Sequence, residues 1–293
     1  MKSNYTFAFF GGEPLSIPVL EELKKNDLLP SLIVCNPDRP VGRSQEMTAP
    51  PVKIWAEKHE IEVFQPSSYK EKDKLTRLTE QDWDLFVVVA YNFILPNWFL
   101  ELPKKGVLNV HPSLLPSLRG ASPIRTAIKD NLVHDIGVTV MLLDEEMDHG
   151  PILEQEQFVP NANKWPLAGP QLDEFLAKMG GRLLADVLPA WMEDEIFPQE
   201  QDHEAATYCS KLKKADSELN INPKKLPVGK YATICWHTIQ AFEGIGNAFF
   251  VYNEKRVKIA KAELTNGGSL RLLRVVPEGK SEMDFSQYLQ SLD

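Results

Sequence analysis

The sequence predicts an α/β protein in which a mostly parallel sheet is followed by a small β-rich region. The first 160 residues alternate short apolar runs with amphipathic helical patterns, which is typical of βαβα units. One run, residues 84–90, is almost continuously apolar, as expected of a strand buried on both faces. After about residue 230 the pattern changes to short strands separated by turns. At roughly 150 residues per domain, a chain of 293 residues fits two domains.

Within residues 1–192 the sequence pattern predicts six strands and three helices. The helix over 14–25 is indicated by Ile17, Leu20 and Leu23, which share one helical face. Gly11-Gly12 predicts a tight turn from strand to helix, and an intact dinucleotide fingerprint is absent. The predicted strands are 5–10, 31–35, 61–64, 84–90, 106–111 and 136–144; the other predicted helices are 51–58 and 172–188, the last ended by Pro189.

The second region is predicted to be a small β-barrel or sandwich. Its predicted strands are 231–236, 248–252, 256–262 and 269–275, and Asn266-Gly267-Gly268 predicts a hairpin turn. Residues 193–206 are polar and only weakly periodic, which indicates a linker. The predicted organisation is therefore 1–192, a linker over 193–206, and 207–293.

Composition and charge exclude several classes of protein. Hydrophobic residues make up 43% and charged residues 25%, as in globular proteins, and the net charge of −9 argues against a general nucleic-acid binder. Residues 206–293, however, carry 13 Lys+Arg and 9 Asp+Glu. This basic excess indicates either a module that meets an anion, possibly nucleic acid, or a chance imbalance. The three cysteines fit neither a disulfide framework nor a zinc site, so we expect a cytoplasmic protein, and no apolar run is long enough for a membrane span.

The most informative stretch is residues 108–120, where a buried strand ends in a proline-stiffened loop. Asn109 and His111 alternate along the strand and therefore point to the same side. Pro112 and Pro116 stiffen the loop that follows, and such a loop can offer backbone groups to a flat heterocyclic ligand. The alternative is a capping Asn and a structural His. Two polar side chains on one face favour a functional site.

Two further segments carry candidate polar groups. Asp148 lies in an acidic turn after an apolar strand and can orient an imidazole; the alternative is a solvated turn. Arg39 and Arg43 lie on a predicted proline-stiffened loop, where they either contact phosphate or are solvated. We expect no metal site, because His149 and Asp148 lack partners at metal-ligand spacing.

These motifs resemble the 10-formyltetrahydrofolate-dependent formyltransferase family over nearly the whole chain. The signature is Asn109-x-His111-Pro112-Ser113-Leu114-Leu115-Pro116-x-x-Arg119-Gly120, with Asp148 downstream. Pro37-Asp38-Arg39-Pro40-x-Gly42-Arg43, Val87-Val88-Val89-Ala90-Tyr91 and the tail from Ala206-Thr207-Tyr208 are similar to the branch that acts on methionyl initiator tRNA.

The resemblance implies a Rossmann-like catalytic domain followed by an OB-like, tRNA-binding barrel. It implies transfer of the formyl group of 10-formyltetrahydrofolate to the α-amino group of methionyl initiator tRNA by a monomer. Asn109, His111 and Asp148 would be the catalytic set; Ser113, Leu114, Leu115, Pro116 and Tyr91 would bind the folate; Arg43 and Arg39 would contact tRNA.

Three alternatives stay open at this stage. Ser44-Gln45-Glu46 replaces the usual lysines after Arg43, and each lost phosphate contact lowers affinity for nucleic acid. An amino-sugar N-formyltransferase or a formyltetrahydrofolate hydrolase would not need those lysines. A third possibility is an RNA-binding module whose α/β domain is only a scaffold.

Overall fold

The computed structural model describes residues 5–42 and 45–292, which divide into two compact units. The first unit comprises the residues up to Arg119, with Asp135–Phe158 and Asp173–Tyr208; the second comprises Gly120–His134, Val159–Leu172 and the chain from Cys209 onward. The strands are β1 Phe7–Gly11, β2 Leu32–Val34, β3 Arg39–Val41, β4 Glu46–Thr48, β5 Glu62–Phe64, β6 Leu85–Val89, β7 Val107–His111, β8 Arg119–Gly120, β9 Gly137–Leu142, β10 Ile152–Gln157, β11 Tyr208–Cys209, β12 Phe249–Tyr252, β13 Lys255–Leu264, β14 Leu270–Pro277 and β15 Met283–Asp284. The helices are α1 Ser16–Lys25, α2 Pro51–Lys58, α3 Thr76–Thr79, α4 Asn97–Leu100, α5 Pro123–Lys129, α6 Gly169–Met192, α7 Lys230–Phe242 and α8 Phe285–Gln290.

The first unit is built on a seven-stranded, mostly parallel sheet in the order β10-β9-β7-β6-β1-β2-β5. Strands β5, β2, β1, β6 and β7 are parallel, while β9 and β10 are antiparallel to their neighbours. All residues of β1 and β6 are buried, as their continuous apolar sequences predict. The predicted mostly parallel sheet is therefore confirmed, and all six predicted strands of this region are present.

Helix α6 extends beyond its predicted end. It begins at Gly169, three residues before the predicted start, and continues through Pro189 to Met192, so the predicted stop near Pro189 lies three residues short of the observed end. A proline removes one helix hydrogen bond, but three further residues stay helical, and Leu188 just before it is fully buried. The two mid-helix glycines allow close packing: a Cβ on Gly180 would lie 2.6 Å from a methyl of Val110.

In the second unit a four-stranded antiparallel sheet, β12-β13-β14-β15, packs against α7. The predicted strand 231–236 is wrong, because these residues form the first half of α7. A short apolar run does not distinguish a strand from a buried helix, and here tertiary packing decides: Ala232 and Cys235, one helical turn apart, are fully buried in the core of this unit. The predicted hairpin at 266–268 is confirmed, since Gly268 N donates to Thr265 O at 2.8 Å between β13 and β14.

The segment predicted as a polar loop around Arg39 instead contains a hairpin. Strands β3 and β4 pair antiparallel, with Arg39 opposite Thr48 and Val41 opposite Glu46. All six residues of the two strands are exposed, so their sequence has no alternation of apolar and polar residues from which the hairpin could be predicted.

Candidate active site

The candidate site lies at the carboxyl end of β7. Leu108 is fully buried and Val110 is 7% exposed, whereas Asn109 is half-buried on the other face. His111, the last residue of the strand, lies on the same face as Asn109 and is only 4% exposed. The side-chain amide of Asn109 makes no hydrogen bond to any residue that the structure describes, so its N–H donors are available to a ligand.

His111 and Asp148 come together although 37 positions separate them. His111 Nδ1 lies 3.5 Å from Asp148 Oδ1, and both side chains are largely buried. On the other side of the ring, His111 Nε2 lies 3.1 Å from Leu118 O. Because a carbonyl oxygen only accepts, Nε2 carries a proton, and Nδ1 is the ring nitrogen that faces the carboxylate.

Asp148 reaches this position from a tight turn after β9. Its φ of +53° is left-handed, a conformation that Asp adopts more readily than most residues. Gly150 closes the turn, since a Cβ there would lie 2.1 Å from Leu142 O. His149 points to a different partner, with Nδ1 2.6 Å from Asp144 Oδ2. The turn therefore directs Asp148 towards His111 and His149 towards Asp144.

The loop over Ser113–Pro116, predicted to bind folate, is fixed by Thr139 of β9. Thr139 Oγ1 donates to Ser113 O at 2.7 Å and accepts from Leu115 N at 3.2 Å. Gln155 of β10 also donates to Leu115 O at 2.9 Å. Leu115–Pro116 is a cis peptide, while Leu114 is half-buried. The three hydrogen bonds with Thr139 and Gln155 fix the backbone of this loop beside His111.

Tyr91, another predicted folate contact, belongs to an aromatic cluster just beyond β6. Its ring packs against Phe10, Tyr69 and Phe93, and its hydroxyl lies 2.8 Å from that of Tyr69. Burial raises the pKa of both tyrosines, so both hydroxyls stay protonated at neutral pH. Tyr91 itself is half-buried, which leaves part of it accessible at the carboxyl edge of the sheet.

Of the two arginines predicted to contact nucleic acid, Arg39 lies exposed on β3, and Arg43 lies outside the described residues. The base of the hairpin is fixed by Asp38, which accepts hydrogen bonds from Gln65 Nε2 at 2.8 Å and Lys53 Nζ at 2.8 Å. The hydrogen bond from Gln65, followed by that from Lys53, lowers the pKa of the Asp38 carboxyl. Arg39 therefore projects from a hairpin whose base is anchored.

Sequence reasoning missed Gln201, which lies in the predicted linker. Its side chain is buried, accepts hydrogen bonds from Arg119, and donates to Asp148 O at 3.0 Å and Gly150 O at 2.7 Å. Gln199, two residues earlier, pairs its backbone with Ile152. Most of the segment is exposed, which accounts for its polarity, and no sequence periodicity signals that Gln201 alone is buried.

Among the residues that the structure describes, no three His, Cys, Asp or Glu side chains are grouped to hold a metal ion. Within the same residues, no helix has the length and apolar composition needed to cross a bilayer.

The second unit contains a basic cavity of about 520 Å³. Its wall includes five cationic and no acidic side chains, together with Phe242 and Phe249. Within the described part of the chain, none of the five forms an ion pair. The Lys214 ammonium and the Arg256 guanidinium lie 5.8 and 5.7 Å from the Phe249 ring. The cationic residues are Lys211, Lys213, Lys214, Arg256 and Lys258.

An amide, an imidazole and a carboxylate lie at the carboxyl edge of a mostly parallel α/β sheet, and such a set is compatible with a group-transfer enzyme. Comparison with known proteins narrows this class. The sequence profile of the formyl transferase family matches residues 5–161. A methionyl-tRNA formyltransferase from Halalkalibacterium halodurans is 36% identical over 255 residues, which cover 87% of this chain and 77% of that protein. Another from Bacillus thuringiensis is 32% identical over 314 residues, covering 96% and 94%. The chain belongs to the methionyl-tRNA formyltransferase family.

Solved structures support the same fold. An N-formyltransferase from Helicobacter canadensis, in complex with folinic acid and dTDP-3-aminofucose, matches with a TM-score of 0.65 and 20% identity, over 92% of this chain and 98% of that one. Methionyl-tRNA formyltransferase from Clostridium thermocellum matches with a TM-score of 0.59 and 15% identity, over 96% and 99%. These likenesses show the formyltransferase fold and do not distinguish between the two acceptors.

Proposed function

We propose that this protein transfers the formyl group of 10-formyltetrahydrofolate to the α-amino group of methionyl initiator tRNA. The observation that carries the proposal is the approach of His111 to Asp148, at 3.5 Å, beside the free amide of Asn109 in a chain of this family. The loop over Ser113–Pro116 and the accessible part of Tyr91 lie at the same edge of the sheet and suit a flat heterocyclic ligand.

In the proposed reaction the amine nitrogen attacks the formyl carbon and forms a tetrahedral intermediate, in which the formyl oxygen is negatively charged. The C–N10 bond then breaks as this intermediate collapses. The Asn109 amide is the N–H donor for this oxygen, and a donor of this kind is worth about 100- to 1000-fold in rate. The nucleophile loses a proton and N10 of the folate gains one, so the reaction is balanced without a metal or redox partner.

His111 and Asp148 carry out the proton transfer in this proposal. Since the Leu118 carbonyl holds Nε2–H, the Nδ1 side of the ring is the side available to substrate. A distance of 3.5 Å exceeds that of a direct charge-assisted hydrogen bond, so a substrate atom or a water can contact both groups. Such general acid–base catalysis contributes about 100- to 10,000-fold.

In the same proposal, two surfaces of the protein contact the tRNA. Arg39 and Arg43, on the 39–48 segment, would contact phosphates. The basic cavity of the second unit, with cations beside Phe249, suits a phosphodiester backbone and an unstacked base. We further propose that residues 207–293, whose antiparallel sheet β12-β13-β14-β15 packs against α7, form an OB-like module that binds the tRNA.

The test is to incubate the protein with radiolabelled 10-formyltetrahydrofolate and, separately, methionyl initiator tRNA, a dTDP-amino sugar or buffer alone. The proposal predicts label in the tRNA, lost in the Asn109→Ala variant. Label in the sugar would identify an amino-sugar N-formyltransferase, and release of formate in buffer would identify a hydrolase. Binding of tRNA without any turnover would instead support the RNA-binding module.

A further inference from the structure

Arg119 is buried next to the candidate site without a carboxylate partner among the described residues. It is 2% exposed, and its guanidinium donates to Gln201 Oε1 from Nε at 3.1 Å and from Nη2 at 2.7 Å. Nη2 also lies 2.9 Å from His203 Nδ1, which must accept because a guanidinium only donates. A buried charge is costly to maintain unless its hydrogen bonds are satisfied, so Gln201 and His203 hold this group in place.

The guanidinium fixes the orientation of the Gln201 amide. Because Oε1 faces Arg119, Nε2 must face the other way, where it donates to Asp148 O at 3.0 Å and Gly150 O at 2.7 Å. These two carbonyls flank His149. The single Gln201 side chain therefore clamps the turn from which Asp148 reaches His111.

The cluster of Arg119, Gln201 and His203 is also connected to the Leu118 carbonyl, which is the partner of His111 Nε2. Leu118, whose carbonyl faces His111 Nε2, immediately precedes Arg119. The Arg119 and Leu118 amides donate to the backbone and the side chain of Thr207, each at 2.9 Å. The backbone that holds the imidazole and the backbone that carries the carboxylate are thus joined through Arg119 and Gln201.

A stacked pair of imidazoles supports the cluster from outside. His203 lies parallel to His149 with ring centroids 4.0 Å apart, and His149 Nδ1 lies 2.6 Å from Asp144 Oδ2. The turn is therefore restrained at His149 as well as at the carbonyls of Asp148 and Gly150.

We propose that Gln201 is a positioning residue, which sets the separation of His111 and Asp148 through its two hydrogen bonds to the Asp148 turn. This inference rests on the proposed function in so far as the separation matters for formyl transfer. A misplacement of about 1 Å at such a site typically costs on the order of 100-fold in rate.

The decisive variant is Gln201→Glu, because it keeps the hydrogen-bond acceptor of the side chain and removes its N–H donors. A glutamate still offers oxygen acceptors to Arg119, and adds a charge that pairs with it, but it cannot donate to the carbonyls of Asp148 and Gly150. We expect kcat to fall by about 10- to 100-fold while KM for the formyl donor changes little. Gln199→Glu is the matched control, since Gln199 is exposed and pairs through its backbone alone.

Hydrogen–deuterium exchange of residues 144–150 gives a second measurement that needs no substrate. Gln201→Glu should accelerate exchange of these amides by about tenfold relative to the Gln199→Glu control. If the wild-type protein transferred no formyl group, the proposed function would be refuted. The exchange measurement would still test whether Gln201 holds the Asp148 turn. Wild-type kcat in Gln201→Glu, or unchanged exchange in the turn, would overturn the positioning role.

Discussion

Thr139 offers the sharpest stability prediction, because one buried hydroxyl makes three hydrogen bonds next to the candidate site. Its Oγ1 donates to Ser113 O at 2.7 Å and accepts from Leu115 N at 3.2 Å and Gln155 Nε2 at 2.8 Å. Thr139→Val keeps the shape and removes all three. At about 0.5–1.5 kcal/mol for each bond, we expect the free energy of unfolding to fall by about 3 kcal/mol.

Thr139→Ser is the matched control, since it keeps the hydroxyl and removes one buried methyl group, which costs about 1 kcal/mol. Urea denaturation at equilibrium measures both variants, and an unchanged slope with denaturant would show that the midpoint shift reports stability. Because the loop over 113–116 loses its anchor, Thr139→Val should also raise KM for the formyl donor. The reasoning is refuted if Thr139→Val is as stable as Thr139→Ser.

Three further predictions concern other buried groups. Burial raises the pKa of the Cys35 thiol to about 12, so the native protein should leave Cys35 unmodified by iodoacetamide at about pH 8, and alkylation before unfolding, seen by peptide mass spectrometry, would contradict this. Burial lowers the pKa of His237, so the unfolded state binds a proton more readily than the folded state does. The free energy of unfolding should therefore decrease as the pH falls below about 6.5, by at most about 1.4 kcal/mol per pH unit. His237→Gln should reduce this pH dependence, as measured by urea titrations at several pH values. A Cβ on Gly181 would lie 2.9 Å from the Val19 Cα, so Gly181→Ala should destabilise the protein by about 1–3 kcal/mol despite its better helix propensity, and a thermal midpoint at or above that of the wild type would be inconsistent with this contact.

Most of the parallel sheet was predictable because strands buried on both faces have continuous apolar sequences. Strands β1 and β6 are examples, and the predicted strand that carries Asn109 and His111 is present as β7. Helix α7 was predicted incorrectly, since a segment rich in apolar and aromatic residues fits either structure until its packing is known.

The surroundings of the candidate site were less predictable than its central residues. Gln201 lies in a polar segment and is buried only because Arg119 and the Asp148 turn meet there, which no local pattern records. The 3.5 Å distance between His111 and Asp148 likewise depends on a turn with a left-handed Asp148, and left-handed conformations of non-glycine residues are weakly marked in sequence.

The most direct test of the proposed chemistry is the single-turnover rate of formyl transfer to methionyl-tRNA in Asn109→Ala, Asp148→Asn and the double variant. Asp148→Asn is compatible with the left-handed turn; it removes the negative charge and replaces one acceptor oxygen with an NH2 donor. Each single variant should lose about 100-fold or more, and the double variant should lose less than the product of the two, because the groups act on one transition state. A wild-type rate in either folded single variant would contradict the account.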